Sequence, residues 1–272
     1  MEWPAAVTIF EFLGLGASYV PVNNRLRYTA LIATLLLGLL VFSPSLHAQE
    51  TCDAEVKLLL SPTQAQAAVA ALQARGETHG RVYFYDTPAL DLLSKGVILR
   101  LREGGAESDL TTKFRPLSGE RLVDPSGGRE RYKCEADVIG GVENPSFSLV
   151  IKYGSAKTPE TGEALFGLLS EGQKQLLKDT KVQIDWKRVK RIAEIRSTSW
   201  TTRANRPLGK LSLELWEWPN GSILEVSTKV TADAGPATYV ELRELANKNG
   251  LALNKNQQAK TTIALEEITG SH

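Results

Sequence analysis

Residues 97–115 read Val97-Ile98-Leu99-Arg100-Leu101-Arg102-Glu103-Gly104-Gly105-Ala106-Glu107-Ser108-Asp109-Leu110-Thr111-Thr112-Lys113-Phe114-Arg115. This is the pattern of two short strands, Val97 to Glu103 and Leu110 to Arg115, folded back around Gly104-Gly105. A strand sends alternate side chains to opposite faces, so Arg100 and Arg102 share one face while Leu99 and Leu101 share the other. Lys113 and Arg115 repeat the basic parity on the next strand. Like charges on adjacent strands repel across the ladder unless an anion lies between them. The hairpin therefore predicts a sheet face that holds an anion.

The same alternation recurs in Asp53/Glu55/Lys57, Arg131/Lys133/Glu135/Asp137 and Glu225/Ser227/Lys229, with Ala54, Val56, Cys134, Ala136, Leu224 and Val226 between them. The charged faces are basic in the middle of the chain and acidic near both ends. Such faces suit a polyanion held together with a metal ion. Further strands are expected at Arg81 to Tyr85, Arg129 to Val138, Arg188 to Thr202, Leu211 to Trp218 and Ile223 to Val230, the last two joined by the turn Pro219-Asn220-Gly221.

Helices separate these strands. Ser61-Pro62-Thr63-Gln64 opens an Ala-rich helix ending at Gly76, and Asp86-Thr87-Pro88 starts a short helical turn closing at Gly96. A helical insert runs from Thr158-Pro159-Glu160 through Leu176, capped afresh at Ser170 with Gln173 three residues on. Helices are also expected at Pro236 to Asn249 and Asn256 to Glu267. Faces this rich in charge cannot enter a dry core. The expected fold is thus α+β: a closed barrel of about eight antiparallel strands around a hydrated lumen, its apolar face covered by helices. Trp200, Trp216 and Trp218 are read as packing residues rather than a nucleobase platform.

Ahead of this domain, Ala30 to Phe42 is a 13-residue apolar run behind Arg25 and Arg27 and before Ser43-Pro44-Ser45-Leu46-His47-Ala48. It reads as a secretory signal cleaved after Ala48, short for a membrane span, with a retained N-terminal anchor as the competing reading. The domain division is then 1–48 as extension and signal, and 49–272 as a single domain, periplasmic or extracellular. Export leaves open a bridge between Cys52 and Cys134 or two free thiols.

The 272 residues carry 32 Lys and Arg against 31 Asp and Glu, a net charge of +1 that argues against nucleic-acid binding through a broad basic field. Three His and two Cys leave too few soft ligands for a zinc site. Any metal is held by carboxylates, which favours Mg²⁺ or Mn²⁺.

Asp53-Ala54-Glu55-Val56-Lys57, Tyr83-Phe84-Tyr85-Asp86-Thr87-Pro88, Leu99-Arg100-Leu101-Arg102 and Leu110-Thr111-Thr112-Lys113-Phe114-Arg115 together resemble the CYTH domain, the triphosphate tunnel metalloenzymes. The resemblance covers roughly residues 53–265, extending through the strand of Glu225 and the Asn254-Lys255 tail. It implies a tunnel of eight antiparallel strands that binds a triphosphate and usually hydrolyses it with Mg²⁺ or Mn²⁺, some members being adenylyl cyclases. By resemblance, Lys57, Arg100, Arg102, Lys113, Arg115 and Arg196 contact phosphate, and Glu55, Glu214 and Glu225 bind metal. Glu135 and Asp137 serve as further ligands or as partners of the basic residues, and Glu55 and Lys57 form the catalytic centre. Asp53 is counted with the metal ligands but is one methylene shorter than the family's glutamate. Ser227 stands where many members have a second acid.

The expected activity is metal-dependent hydrolysis of inorganic triphosphate or a similar compact polyphosphate. The alternative is a polyphosphate or organic-phosphate binder without turnover, with an adenylyl cyclase third.

Overall fold

The computed structural model describes residues 52–104, 108–116, 122–154, 157–203 and 208–270. The leader expected over 1–48 and the hairpin tip at Gly105 lie outside these residues. Nine strands close into one barrel: β1 (Asp53–Leu60), β2 (Arg75–Asp86), β3 (Val97–Gly104), β4 (Asp109–Phe114), β5 (Arg131–Ile139), β6 (Val142–Lys152), β7 (Lys190–Thr201), β8 (Ser212–Trp218) and β9 (Gly221–Val230). Around the barrel they run β1-β5-β6-β4-β3-β2-β7-β8-β9 and back to β1. Among the described residues five α-helices accompany them: α1 (Ala65–Ala71), α2 (Gly162–Leu168), α3 (Glu171–Asp179), α4 (Gly235–Lys248) and α5 (Lys260–Thr269).

Two details correct the expectation of eight antiparallel strands. The β1–β5 seam is parallel, with Asp53 opposite Glu135 and Glu55 opposite Asp137. The additional strand is β6, which reads Val-Glu-Asn-Pro-Ser-Phe-Ser-Leu-Val-Ile-Lys. Pro145 cannot donate to a ladder and so disguises it. Its lumen side carries Ser148 and Val150 rather than charges.

The apolar faces are covered as alternation dictates. Ala54, Val56, Leu58 and Leu60 of β1 pack with Ala65 and Ala68 of α1 and with Tyr239, Leu242 and Ala246 of α4. Tyr83, Tyr85, Leu99, Leu101 and Leu110 pack with Leu165 of α2 and Leu177 of α3. Ser170 and Gln173 form a capping box on α3. The Gln173 Nε2 also donates to the carbonyls of Leu110 and Leu149, at 2.9 and 3.1 Å, fastening the helix to β4 and β6.

A third cluster has no counterpart in the sequence reading. Leu59, Val82, Phe84, Ile98, Ile195, Trp216 and Ile223 meet Ile263, Ala264 and Leu265 of α5. Leu59, Ile98, Trp216 and Ile223 have the parity of the charged residues Lys57, Arg100, Glu214 and Glu225. The inner face is therefore charged along one length and apolar along the rest, where α5 plugs it. A barrel of this size is narrow enough for side chains to fill it.

Gly76 also departs from expectation, since α1 stops at Ala71 and Gln73 takes the left-handed conformation with φ 53°. Gly76 falls instead inside β2, at a register shift between Arg75 and Thr78. The turn after β2 follows the sequence closely. The Asp86 carboxylate accepts from the backbone of Thr87, Leu92 and Leu93, and Gly96 closes the turn with φ 79°. A Cβ on Gly96 would lie 2.0 Å from the Arg115 carbonyl oxygen, so glycine alone lets the end of β4 approach.

Candidate functional site

The charged length of the lumen encloses about 330 Å³. Lys57, Arg100, Arg102, Lys113, Arg115, Lys133, Lys229 and Lys260 line it, with Glu55, Glu135, Glu214 and Glu225. Five of these cations, Lys57 through Arg115, were expected from parity or resemblance. Lys133 and Lys229 stand on the alternating faces but were not assigned a role.

Asp137 lies behind this surface, fully buried, as the hub of the basic group. Its Oδ1 accepts from Lys57 Nζ at 2.7 Å. Its Oδ2 accepts from Lys113 Nζ at 2.9 Å and from Arg115 Nε and Nη2 at 3.1 and 2.9 Å. Burial pushes the Asp137 carboxyl up, but Lys57, Lys113 and Arg115 outweigh it and hold the group well below the usual carboxylate range. Burial opposes the Lys57 charge too, yet Asp137 and Glu55 hold its pKa above the ordinary lysine value. Lys57 also meets Glu55 Oε2 at 2.8 Å. The Glu55 carboxyl is raised by burial and drawn down further by Lys57, to about 2.

Arg100 and Arg102 are paired more loosely, with Asp109 Oδ1 3.7 Å from Arg100 Nη2 and Glu214 Oε1 3.8 Å from Arg102 Nη2. Burial lowers Lys113 to about 8, despite Asp137. Burial, then Arg102, lowers Arg100 to about 10, still charged at neutral pH. The buried Nε atoms of Arg100 and Arg102 have no hydrogen-bond partner among the described residues. Buried donors left open in a polar cavity are available to an anion.

On the strands next to β1 in the closed barrel, Glu214 and Glu225 stand directly opposite one another on β8 and β9. Two facing carboxylates are mutually destabilising, and here a cation separates them. Lys260, the first residue of α5, is salt-bridged to Glu214 and meets Glu225 Oε1 at 2.7 Å, with Nζ 4.5 Å from the centre of the Trp216 ring. Burial raises the Glu214 carboxyl, but Lys260 and Arg102 depress it far below the ordinary range. Three residues before Lys260, the Gln257 side-chain amide fastens the chain to β1, accepting from Leu59 N at 3.0 Å and donating to Leu59 O at 2.8 Å. Strand parity gives no sign of Lys260, because it enters from a helix.

Glu55, Glu135 and Asp137 bring carboxylate oxygens within 4.8 Å of one another, a group that can hold a metal ion. Their hard oxygen donors fit Mg²⁺ or Mn²⁺. Since both Asp137 oxygens are taken by cations, Glu55 and Glu135 are the freer ligands, with Glu225 on the neighbouring β9 and Glu214 one strand further on β8. Glu135 itself is salt-bridged to Lys229.

Two assigned residues lie elsewhere. Asp53 is exposed at the start of β1 and is absent from the cavity lining. Arg196 is exposed on β7, with the parity opposite to Ser197 and Ser199, which face the lumen. Its strand register therefore turns it outward. Trp216 and Trp218 are buried in the plug cluster and Trp200 in the β1 cluster. Cys52 and Cys134 are joined in a disulfide with Cα atoms 4.8 Å apart.

A closed barrel whose lumen sets clustered cations beside carboxylates defines an anion-binding tunnel with metal-binding capacity. Residues 53–259 match the CYTH domain model, and the chain belongs to that family. No curated protein matches it in sequence. Among solved structures it is similar to a candidate adenylyl cyclase from Hippeastrum described as having a dominant triphosphatase activity. The identity is 19%, the TM-score 0.54, and the match covers 77% of this chain and 93% of that one. It is also similar to a candidate adenylate cyclase from Bacillus halodurans, at 14% identity and TM-score 0.52 over 78% and 97% of the two chains. At these identities the likeness bears on the fold. No helix among the described residues is long and apolar enough to cross a membrane.

Proposed function

We propose that this protein hydrolyses a triphosphate, inorganic triphosphate or a similarly compact polyphosphate, with a divalent cation bound in the barrel. The observation that carries this reading is the charge of the lumen, where eight cations stand against four lining carboxylates and the buried Asp137 behind them. That surplus suits a triphosphate of about four negative charges, whose transfer chiefly demands positioning and charge neutralisation.

In this reading Arg100, Arg102, Lys113 and Arg115 grip the phosphate oxygens, Arg through its forked donors. Asp137 orders Lys57, Lys113 and Arg115 from behind, so their positions precede substrate binding. Glu55, Glu135, Glu214 and Glu225 would hold Mg²⁺ or Mn²⁺, which when bound offsets phosphate charge and activates water. The apolar cluster around Trp216 and α5 gives the chamber a wall without competing charge.

Phosphate release from tripolyphosphate, ATP and thiamine triphosphate, assayed with Mg²⁺ and with Mn²⁺, tests the reading. Glu225→Ala should lower turnover by about a hundredfold, the scale of losing a metal or charge-stabilising group. An inactive parent protein, or a variant as active as the parent, would sink it.

A second reading, a polyphosphate binder without turnover, is favoured by Lys260 lying between Glu214 and Glu225 and by Ser227 in place of an acid. Calorimetry separates the two, because a binder keeps its triphosphate affinity in chelator and releases no phosphate. We also propose that one domain, beginning near Gln49, works outside the cytoplasm after removal of a leader ending near Ala48. The Cys52–Cys134 bridge supports an oxidising compartment.

A further inference from the structure

Lys229 makes a contact that its own ladder does not provide. It stands directly opposite Glu55 in the β1–β9 pairing, yet its ammonium is salt-bridged to Glu135 on β5. β1 lies between those two strands in the closed barrel. The Lys229–Glu135 bridge therefore passes over β1, across a gap of about 10 Å, two strand spacings. Glu135 is opposite Asp53 in the seam and Glu55 is opposite Asp137, so the ammonium is laid among the carboxylates of the seam.

Lys57, Lys229 and Lys260 serve the lining carboxylates, and they differ in how freely they can let go. The side chains of Lys57, at Glu55, and of Lys260, at Glu214 and Glu225, are each 11% exposed. Parting either from its carboxylate would leave a buried ammonium bare, which is costly. The Lys229 side chain is 53% exposed, whereas that of Glu135 is 9% exposed. A lysine of this kind keeps its aliphatic stem on the protein while its ammonium moves into water. What Lys229 leaves behind is Glu135, with an oxygen within 4.8 Å of oxygens of Glu55 and Asp137. An ammonium offsets one carboxylate charge there, and a divalent cation offsets two.

We propose that Lys229 is a displaceable counter-ion over the metal-binding carboxylates. It holds Glu135 in the metal-free protein and gives that carboxylate up to Mg²⁺ or Mn²⁺. The exchange sets a threshold, because the carboxylates load only at divalent-cation concentrations that outcompete the lysine. This rests on the metal-dependent reading of the site and adds to it a regulation of metal loading. Lys229 acts through Glu135 and is a positioning residue.

Mn²⁺ binding, measured by calorimetry without phosphate, compares the parent with Lys229→Ala and Lys229→Arg. The alanine variant should bind Mn²⁺ about tenfold more tightly, the scale of one charge-assisted contact no longer to be broken. Lys229→Arg should keep the parent affinity. The parent itself supplies a second readout that needs no variant to fold well. With ¹⁵N-labelled lysine, the Lys229 Nζ resonance should move toward that of a free lysine when Mg²⁺ is added, while those of Lys57 and Lys260 keep the signature of a paired ammonium. Equal Mn²⁺ affinity in the parent and Lys229→Ala, or a Lys229 resonance that ignores Mg²⁺, overturns the inference and leaves the hydrolase reading to its own phosphate-release assay. Absence of Mn²⁺ binding from every one of these proteins overturns both.

Discussion

Asp137 does most to organise the site without touching its open space. One carboxylate holds three cations, so its loss removes the charge that lets Lys57, Lys113 and Arg115 be buried together. Asp137→Asn should cost about 3 kcal/mol of stability at neutral pH, as for a buried pair broken on one side, measured by urea unfolding in chelator. The folded-state pKa of Asp137 lies below its unfolded value. Its contribution is whole above about pH 4 and is lost as pH falls through the lower folded value. The asparagine variant should accordingly show a flatter decline of stability below pH 4, and parallel curves would assign that decline to another group. At this scale the sequence was informative wherever charge alternated along a strand. Glu55, Lys57, Arg100, Arg102, Lys113 and Arg115 all face the lumen on parity alone. Arg196 escaped because Ser197 and Ser199, not a charged neighbour, mark the inner face of β7.

Among the elements, α5 most changes the picture of the barrel. Its first residue supplies an ammonium to two facing glutamates, while Ile263, Ala264 and Leu265 fill the lumen behind it. Lys260 thus stands where a metal ion would relieve the same repulsion. Lys260→Ala should destabilise the protein by about 2 kcal/mol or more in chelator, the cost of leaving buried carboxylates unpaired. Added Mg²⁺ should then raise Tm further in the variant than in the parent, because no ammonium competes for Glu214 and Glu225. Thermal unfolding with and without Mg²⁺ checks this, and an equal Mg²⁺ response in both proteins would remove the competition. The helix itself was legible between Asn256 and Glu267, but its place inside the barrel was not. An apolar helical face does not disclose whether it packs against the outer or the inner surface of a barrel. β6 was hidden for a local reason, Pro145, although Phe147, Leu149 and Ile151 keep the period of a strand.

For the whole molecule, closure of the barrel depends on its parallel seam. There Asp53 faces Glu135 and Glu55 faces Asp137, two pairs of like charge. Lys57 offsets the inner pair and Lys229 reaches Glu135, so the seam is held by groups that also serve the site. The disulfide lies one residue before the Asp53–Glu135 pairing on both strands, joining the seam covalently across a sequence separation of 82. Constraining a loop of that length in the unfolded chain corresponds to about 4 kcal/mol in the chain-entropy model. Replacing both cysteines, Cys52→Ser with Cys134→Ser, should lower Tm by about 10 °C for a domain of this size. The loss should shrink when tripolyphosphate and Mg²⁺ are present, since a ligand that binds only the folded barrel adds its own stabilisation and Mg²⁺ screens the facing carboxylates. Differential scanning calorimetry of both proteins, with and without those ligands, measures the two effects together. An unchanged Tm in the serine variant would mean that the ladder and its lysines hold the seam unaided. A loss that ligands leave untouched would separate the bridge from the site.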